Sequence, residues 1–326
     1  MGVYRPVDDQ GSGGIAVPRY RPPMPVWPVI MDLPLMRGSE APHAPHVAVA
    51  ARPWPGAVAV YGSASEDSDF ALNTTLPTGA MIGLTETPLA RAAPGLLDRG
   101  AELLVRFGGG TLASSTPAAL LQGANLVAIG SGEPDRWEVF QFARADLIEE
   151  NLWSLRERLR GQFGTDAMMP DHWPVGAMVV VLDEALRPLS LDPAALGQQR
   201  FWRIGPATRG VDDPSYGLHV TETRGAGLRP LSPCHLRLSG DRLSWTRRTR
   251  LSGDRWDLRD VPLAEAREAY LIRLEAGLEA REFQTGTPAL TLPSEWAGRA
   301  GQGGLRVSVA QISDEYGPGP FTTRSF

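Results

Sequence analysis

His43 and His46 stand three apart in Pro-His-Ala-Pro-His, a spacing that on a helix would set two imidazoles on one face as metal ligands. Pro42 and Pro45 forbid that helix and no third ligand lies nearby, so both histidines read as surface-loop residues. Asp212 and Asp213, beside Tyr216 and His219, have the side-chain types of an acid–base cluster. Their stretch is polar and broken by Gly and Pro, which favours a solvated loop. Gly108-Gly109-Gly110-Thr111 follows an apolar run, but no Lys completes a phosphate loop, so a hairpin or bulge is expected. Ser114, Ser115 and Ser232 lack the context of a nucleophile elbow. Cys234 and His235 are adjacent, and adjacent strand residues point to opposite faces. The expectation is a chain with no catalytic residue, no metal and no cofactor, and not an enzyme.

The strongest surface candidate is the stretch from Trp245 to Trp256. It carries Arg247, Arg248, Arg250 and Arg255 between two tryptophans. Guanidinium forks and indole faces together suit sugars, phosphates or a protein partner. Arg247, Arg248, Arg250, Arg255 and Trp256 are therefore the candidate surface-binding residues. The plainer reading makes Trp245 core and pairs the arginines with Asp241, Asp254 and Asp257. Trp27 and Trp54, on proline-rich turns, read as packing anchors against a neighbouring subunit.

The elements that would carry these residues are short. The 326 residues contain 36 Gly and 29 Pro, which favours many brief segments joined by tight turns over long helices. Hydrophobic residues at 42% can build real cores. All 32 basic residues are Arg, and the formal net charge of −5 gives no general pull toward nucleic acid or acidic lipid, so sequence-specific nucleic-acid binding is not expected. With one cysteine there is no intrachain disulfide. No apolar run of membrane-spanning length and no secretory leader is read.

Along the chain, residues 1–72 read as a Pro-rich arm and β segment completing an upstream domain. Residues 73–227 read as an irregular β-rich domain with a short helix, Thr116 capping it and Pro117 opening it. Trp137–Phe142 alternates, with Trp137, Val139 and Gln141 on one face and Glu138, Phe140 and Phe142 on the other. Asp146–Arg160 fits both a helix and a strand pair. Residues 228–326 show a turn about every ten residues, the rhythm of a β-sandwich. The helical alternative there, Leu263–Ala280, ranks below it. The fold class is all-β: irregular β domains followed by a sandwich.

Two resemblances add to this. Leu243-Ser244-Trp245, Tyr270-Leu271-Ile272-Arg273-Leu274 and Leu305–Ile312 followed by Gly317-Pro318-Gly319-Pro320 resemble the second, third and late strands of a fibronectin type III module. Over nearly the whole chain, six short motifs in order resemble the C-terminal part of the baseplate "host specificity" protein of gene transfer agents and siphophage tails. These are Asp32-Leu33-Pro34-Leu35, Arg52–Gly56, Leu121–Asn125, Trp137–Phe142, Leu159–Thr165 and Trp245–Arg250. Members of that family are much longer, so the chain reads as a fragment or a split gene product.

The resemblance implies a structural tail-tip component of a phage-like particle, assembled in the cytoplasm and released. Its implied partners are other tail and baseplate proteins, copies of itself in a homotrimer, and the recipient bacterial surface, through a polysaccharide or an outer-membrane receptor. Multivalent contact would strengthen weak docking. The rival is a carbohydrate-binding or polysaccharide-degrading tail protein. A secreted adhesin acting alone ranks third, since no leader is read.

Overall fold

The computed structural model describes residues 25–38, 40–253, 257–300 and 303–326. Residues 1–24 of the expected arm lie outside the described residues. Every sheet among the described residues is antiparallel, and helix is confined to short pieces such as Pro117–Leu121 and Ser294–Ala300. The chain is all-β.

Six strands close into a barrel. Trp137–Glu149 pairs with Leu126–Gly130, which pairs with Met178–Val181, then Ile82–Thr85, Leu103–Phe107 and Leu152–Leu159, which returns to Trp137–Glu149. Closure removes the exposed sheet edges that would template aggregation. Inward side chains, including Val105, Val127, Phe140, Phe142 and Leu155, fill the interior. The stretch Asp146–Arg160, which fits two periods, is a β-hairpin. Its turn places Asn151 at φ +61°, a left-handed conformation Asn tolerates. Leu147 and Ile148 sit exposed near the tip, while Leu155 is core. The helical spacing of those leucines has no single buried face behind it.

A second unit wraps the barrel and is built from both sides of it in sequence. Val58–Ser63 pairs with Ala71–Leu76 and with Gln199–Pro206, and the latter pairs with Gly217–Glu222. Trp27–Met31, His46–Ala50 and Arg187–Pro188 form a facing sheet. Val47, Val58, Val60, Trp202 and Ile204 lie between the two sheets. The boundary at 72 therefore does not hold. The segment before it completes a sandwich with residues 187–222 of the same chain: Gln199–Pro206 pairs along Val58–Ser63, and Trp202 and Ile204 extend the apolar face of Val58 and Val60 that Ile30, Val47 and Val49 cover. Outward barrel side chains Ala128, Trp137 and Val139 pack on Val29, Met31 and Ala48. Both faces of Trp137–Phe142 are thus buried, with the alternation as expected.

His46 lies within this sandwich, 5% exposed, rather than on a surface loop. Its Nδ1 has no hydrogen-bond partner among the described residues, and burial, foremost, pulls its pKa below the ordinary 6.5. A base whose folded pKa is depressed gives stability that is full above its unfolded pKa and lost as pH falls through the folded value. Acidification from about pH 6.5 is therefore expected to destabilise this unit, by at most about 1.4 kcal/mol per pH unit from this residue. Urea midpoints of the wild type and His46→Leu compared from pH 7.5 to 5 test it. An equal slope in both proteins would remove His46 from the account.

The third unit is a β-sandwich of two antiparallel sheets. Cys234–Ser239, Arg242–Thr246 and Ala289–Thr291 form one sheet. Glu279–Thr285, Tyr270–Ala276, Arg306–Ser313 and Thr322–Ser325 form the other. Trp245 meets Tyr270 edge-on at 5.1 Å between ring centroids, inside a core shared with Ile272, Val307 and Val309. The stretch Leu263–Ala280 contributes a strand and the turn into the next, despite its helix-favouring composition. The helix Ser294–Ala300, not foreseen in the sequence, buries Trp296 against this core.

Candidate functional site

The arginine stretch turns inward. Arg247 pairs with Glu268 at 3.1 Å and Asp260 at 2.8 Å, and donates to the carbonyl of Val261. Arg248 crosses to the barrel side, where its Nη1 and Nη2 grip both oxygens of Asp166 at 2.9–3.2 Å. It also donates to the Ser232 hydroxyl. Arg250 pairs with Glu265 at 3.2 Å and donates to the carbonyls of Gly227 and Ala264. These three guanidinium groups join the third unit to itself and to the rest of the chain. The carboxylates that hold Arg247, Arg248 and Arg250 lie across the seam, at Asp166, or in the 260–268 loop, at Asp260, Glu265 and Glu268, while Asp254, one of the expected partners, lies outside the described residues. Arg255 and Trp256 lie outside the described residues.

The other sequence candidates are dispersed. Asp212 pairs with Arg203 at 2.8 Å in solvent, and Asp213 accepts from the Ser215 amide and hydroxyl, which hold its carboxyl below the usual range. The Tyr216 hydroxyl donates to the carbonyls of Pro206 and Arg209. Ser114 bridges the backbone of Ala145. Burial pushes the Cys234 thiol up, opposite to what a reactive thiolate needs. Among the described residues no group of three or more His, Cys, Asp or Glu could hold a metal ion.

Inside the barrel lies a charge cluster that the sequence reading missed. Glu138 and Arg160, both with fully buried side chains, face each other in a two-pronged pair at 2.6 and 2.7 Å. Glu138 also accepts from the Trp173 indole at 2.7 Å and from the Gly161 amide. Arg160 donates to the Ala90 carbonyl at 2.9 Å. Next to it, Arg158 pairs with Asp98 at 2.9 Å and donates to the carbonyls of Leu155 and Ala101. Burial pushes the Asp98 carboxyl up, but the Gly100 amide and Arg158 outweigh it and hold it below the usual range. With every charge paired this way, the cluster reads as an internal brace rather than a reactive centre. One signal was available: Glu138 is the only charged residue in the alternating run Trp137–Phe142.

A cleft opens where the sandwich meets the barrel. Its volume is about 630 Å³, within the range of small-ligand sites. Trp27, 41% exposed, and Trp54 contribute its aromatic surface. Trp54 is held in place: its indole N–H donates to the Pro77 carbonyl at 3.1 Å, and its ring lies over Gly79, where a Cβ would come within 2.9 Å. Arg52 lines the same cleft and donates through Nη1 to the Gly108 carbonyl at 3.0 Å. Gly109 and Gly110 complete the opposite side. The two tryptophans read as separate anchors thus share one site, and the glycine run read as a simple turn forms part of its wall.

These features define a modular all-β protein: a closed barrel clasped by one sandwich and fastened to another. A family model described as "Rcc01698-like, C-terminal" matches residues 80–180, which is the stretch that forms the barrel, from Ile82–Thr85 to Met178–Val181. No curated protein matches the chain. Among solved structures, the chain is similar to the crystal structure of the chicken CNTN1 FN1-FN3 domains, with 12% identity over 94% of this chain and 99% of that one. The TM-score is 0.20.

Proposed function

We propose that the chain is a structural component of the tail tip, or baseplate, of a phage-like particle of the gene transfer agent type, contributing to assembly and to attachment at the recipient cell surface. The observation that carries this reading is where the family match falls. Residues 80–180 include all of Leu121–Asn125, Trp137–Phe142 and Leu159–Thr165, three of the motifs by which the chain resembles host-specificity proteins. A barrel without exposed edges, braced inside and fastened to its neighbours, suits a part that must hold shape in a larger assembly. In this role the chain works by complementary surfaces and carries out no reaction. Mass spectrometry of purified particles tests it: the chain is expected among the tail proteins, and its absence sinks the proposal.

A carbohydrate-binding role is the second reading, favoured by the cleft between Trp27 and Trp54. Glycoside hydrolysis would need two facing carboxyl groups, and the cleft lining contains none.

A further inference from the structure

We propose that the cleft between Trp27 and Trp54 binds an acidic saccharide, a uronate unit of a polysaccharide. This deepens the carbohydrate-binding reading by naming the class of ligand, and it does not depend on the chain's presence in a particle.

Three features point to this ligand. The first is aromatic surface fixed before binding. Trp54 cannot swing, because its N–H is bonded to Pro77 and its ring rests on Gly79. Trp27 is exposed on the same cleft. Rigid indole faces offer apolar area to the C–H face of a sugar ring at low entropic cost.

The second feature is charge. Arg52 is exposed, and beyond its bond to Gly108 its guanidinium has no partner among the described residues. The lining contains no Asp or Glu. A cleft with one cation and no anion favours a carboxylate-bearing ligand, which a guanidinium fork can grip with two parallel bonds. The bond to Gly108 pre-orients that fork.

The third is access to main-chain donors. The Gly109 and Gly110 amides donate to no main-chain carbonyl among the described residues. Without side chains there, hydroxyl or carboxylate oxygens can approach them closely. A proline-rich peptide fits less well. It offers carbonyl acceptors in place of a carboxylate, and the Trp54 indole N–H that could meet one is already bonded to Pro77.

The test uses the full chain with oligogalacturonate and oligoalginate as acidic probes, cellotetraose as the neutral probe, and a proline-rich peptide as competitor. Binding is read by calorimetry and by quenching of tryptophan fluorescence. Saturable binding of a uronate oligomer is expected, at least tenfold tighter than cellotetraose and weakened by salt. Trp27→Ala and Arg52→Gln should each weaken it at least tenfold. Trp27→Ala alters an exposed side chain, so an unchanged melting curve shows that the fold is kept. Trp54→Ala would remove a packed ring and is the poorer variant. No saturable uronate binding, equal affinity for cellotetraose, wild-type affinity in both variants, or tighter binding of the peptide at this cleft would each overturn the inference. A chain found in particles that binds no uronate would lose this inference alone.

Discussion

Replacing Arg160 with alanine is expected to destabilise the barrel by about 3–5 kcal/mol, the usual cost of removing one partner from a buried ion pair. The reason is what remains. Glu138 would keep the Trp173 indole and the Gly161 amide but lose both prongs of its guanidinium partner, in a site with no solvent exposure. Its charge would then be uncompensated in a low-dielectric interior. The Ala90 carbonyl would also lose its donor. The double change Glu138→Leu with Arg160→Met removes both charges and keeps most of the volume, so it is expected to recover most of the loss. Hydrogen exchange at barrel amides reads this unit specifically, which matters because a chain of three units need not unfold in one step. A single variant that loses less than about 1 kcal/mol, or a double variant no better than the single, would show that the pair is not the brace described.

Asp32→Ala is expected to cost about 3 kcal/mol or more, and to loosen a different place. Asp32 is 4% exposed, and its carboxylate accepts three consecutive amides: Arg224 at 3.0 Å, Gly225 at 2.9 Å and Ala226 at 2.6 Å. Its own amide donates to the Pro134 carbonyl at 2.7 Å. One residue at the end of the Trp27–Met31 strand therefore joins the first sheet, the loop entering the barrel's longest strand, and the turn leading to the third unit. Alanine strands three donors, two of them in buried bonds, each costing about 1–3 kcal/mol unless water reaches it. Asp32→Asn keeps the volume but turns an N–H₂ toward N–H groups, so it should recover only part of the loss. Faster exchange at Arg224, Gly225 and Ala226, with barrel amides less affected, is the expected signature. Unchanged protection at those three amides would refute it.

Local order was readable in the sequence wherever one short stretch contains its own cause. Thr116 accepts the Ala119 amide with Pro117 following, as cap chemistry requires. The two faces of Trp137–Phe142 divide as their alternation says. Trp245 and Tyr270 meet in the third core. Pairing between distant strands was not readable. The apolar alternation of Val58–Val60 says that one face is buried, but nothing in it names Gln199–Pro206, more than a hundred residues on, as the partner. The barrel sits between those strands in sequence, so a boundary drawn at 72 cut one unit in two. The cleft was hidden for the same reason, since its walls come from four separate stretches near residues 27, 52, 80 and 109. The arginines after Trp245 were visible as chemistry, but the carboxylates that hold Arg247, Arg248 and Arg250 were not. Asp166 is 82 residues from Arg248, and only the folded chain brings them together.

The grip of Arg248 on Asp166, with Arg250 on the Gly227 carbonyl, bears on how the molecule responds to force. A tug on the C-terminal sandwich does not first straighten a slack tether. It is carried by the short peptide between Gly225 and Cys234, which Arg250 braces at Gly227, and by Arg248, which reaches Asp166 in the turn that follows the Leu152–Leu159 strand. Tension would be shared among several polar bonds loaded together.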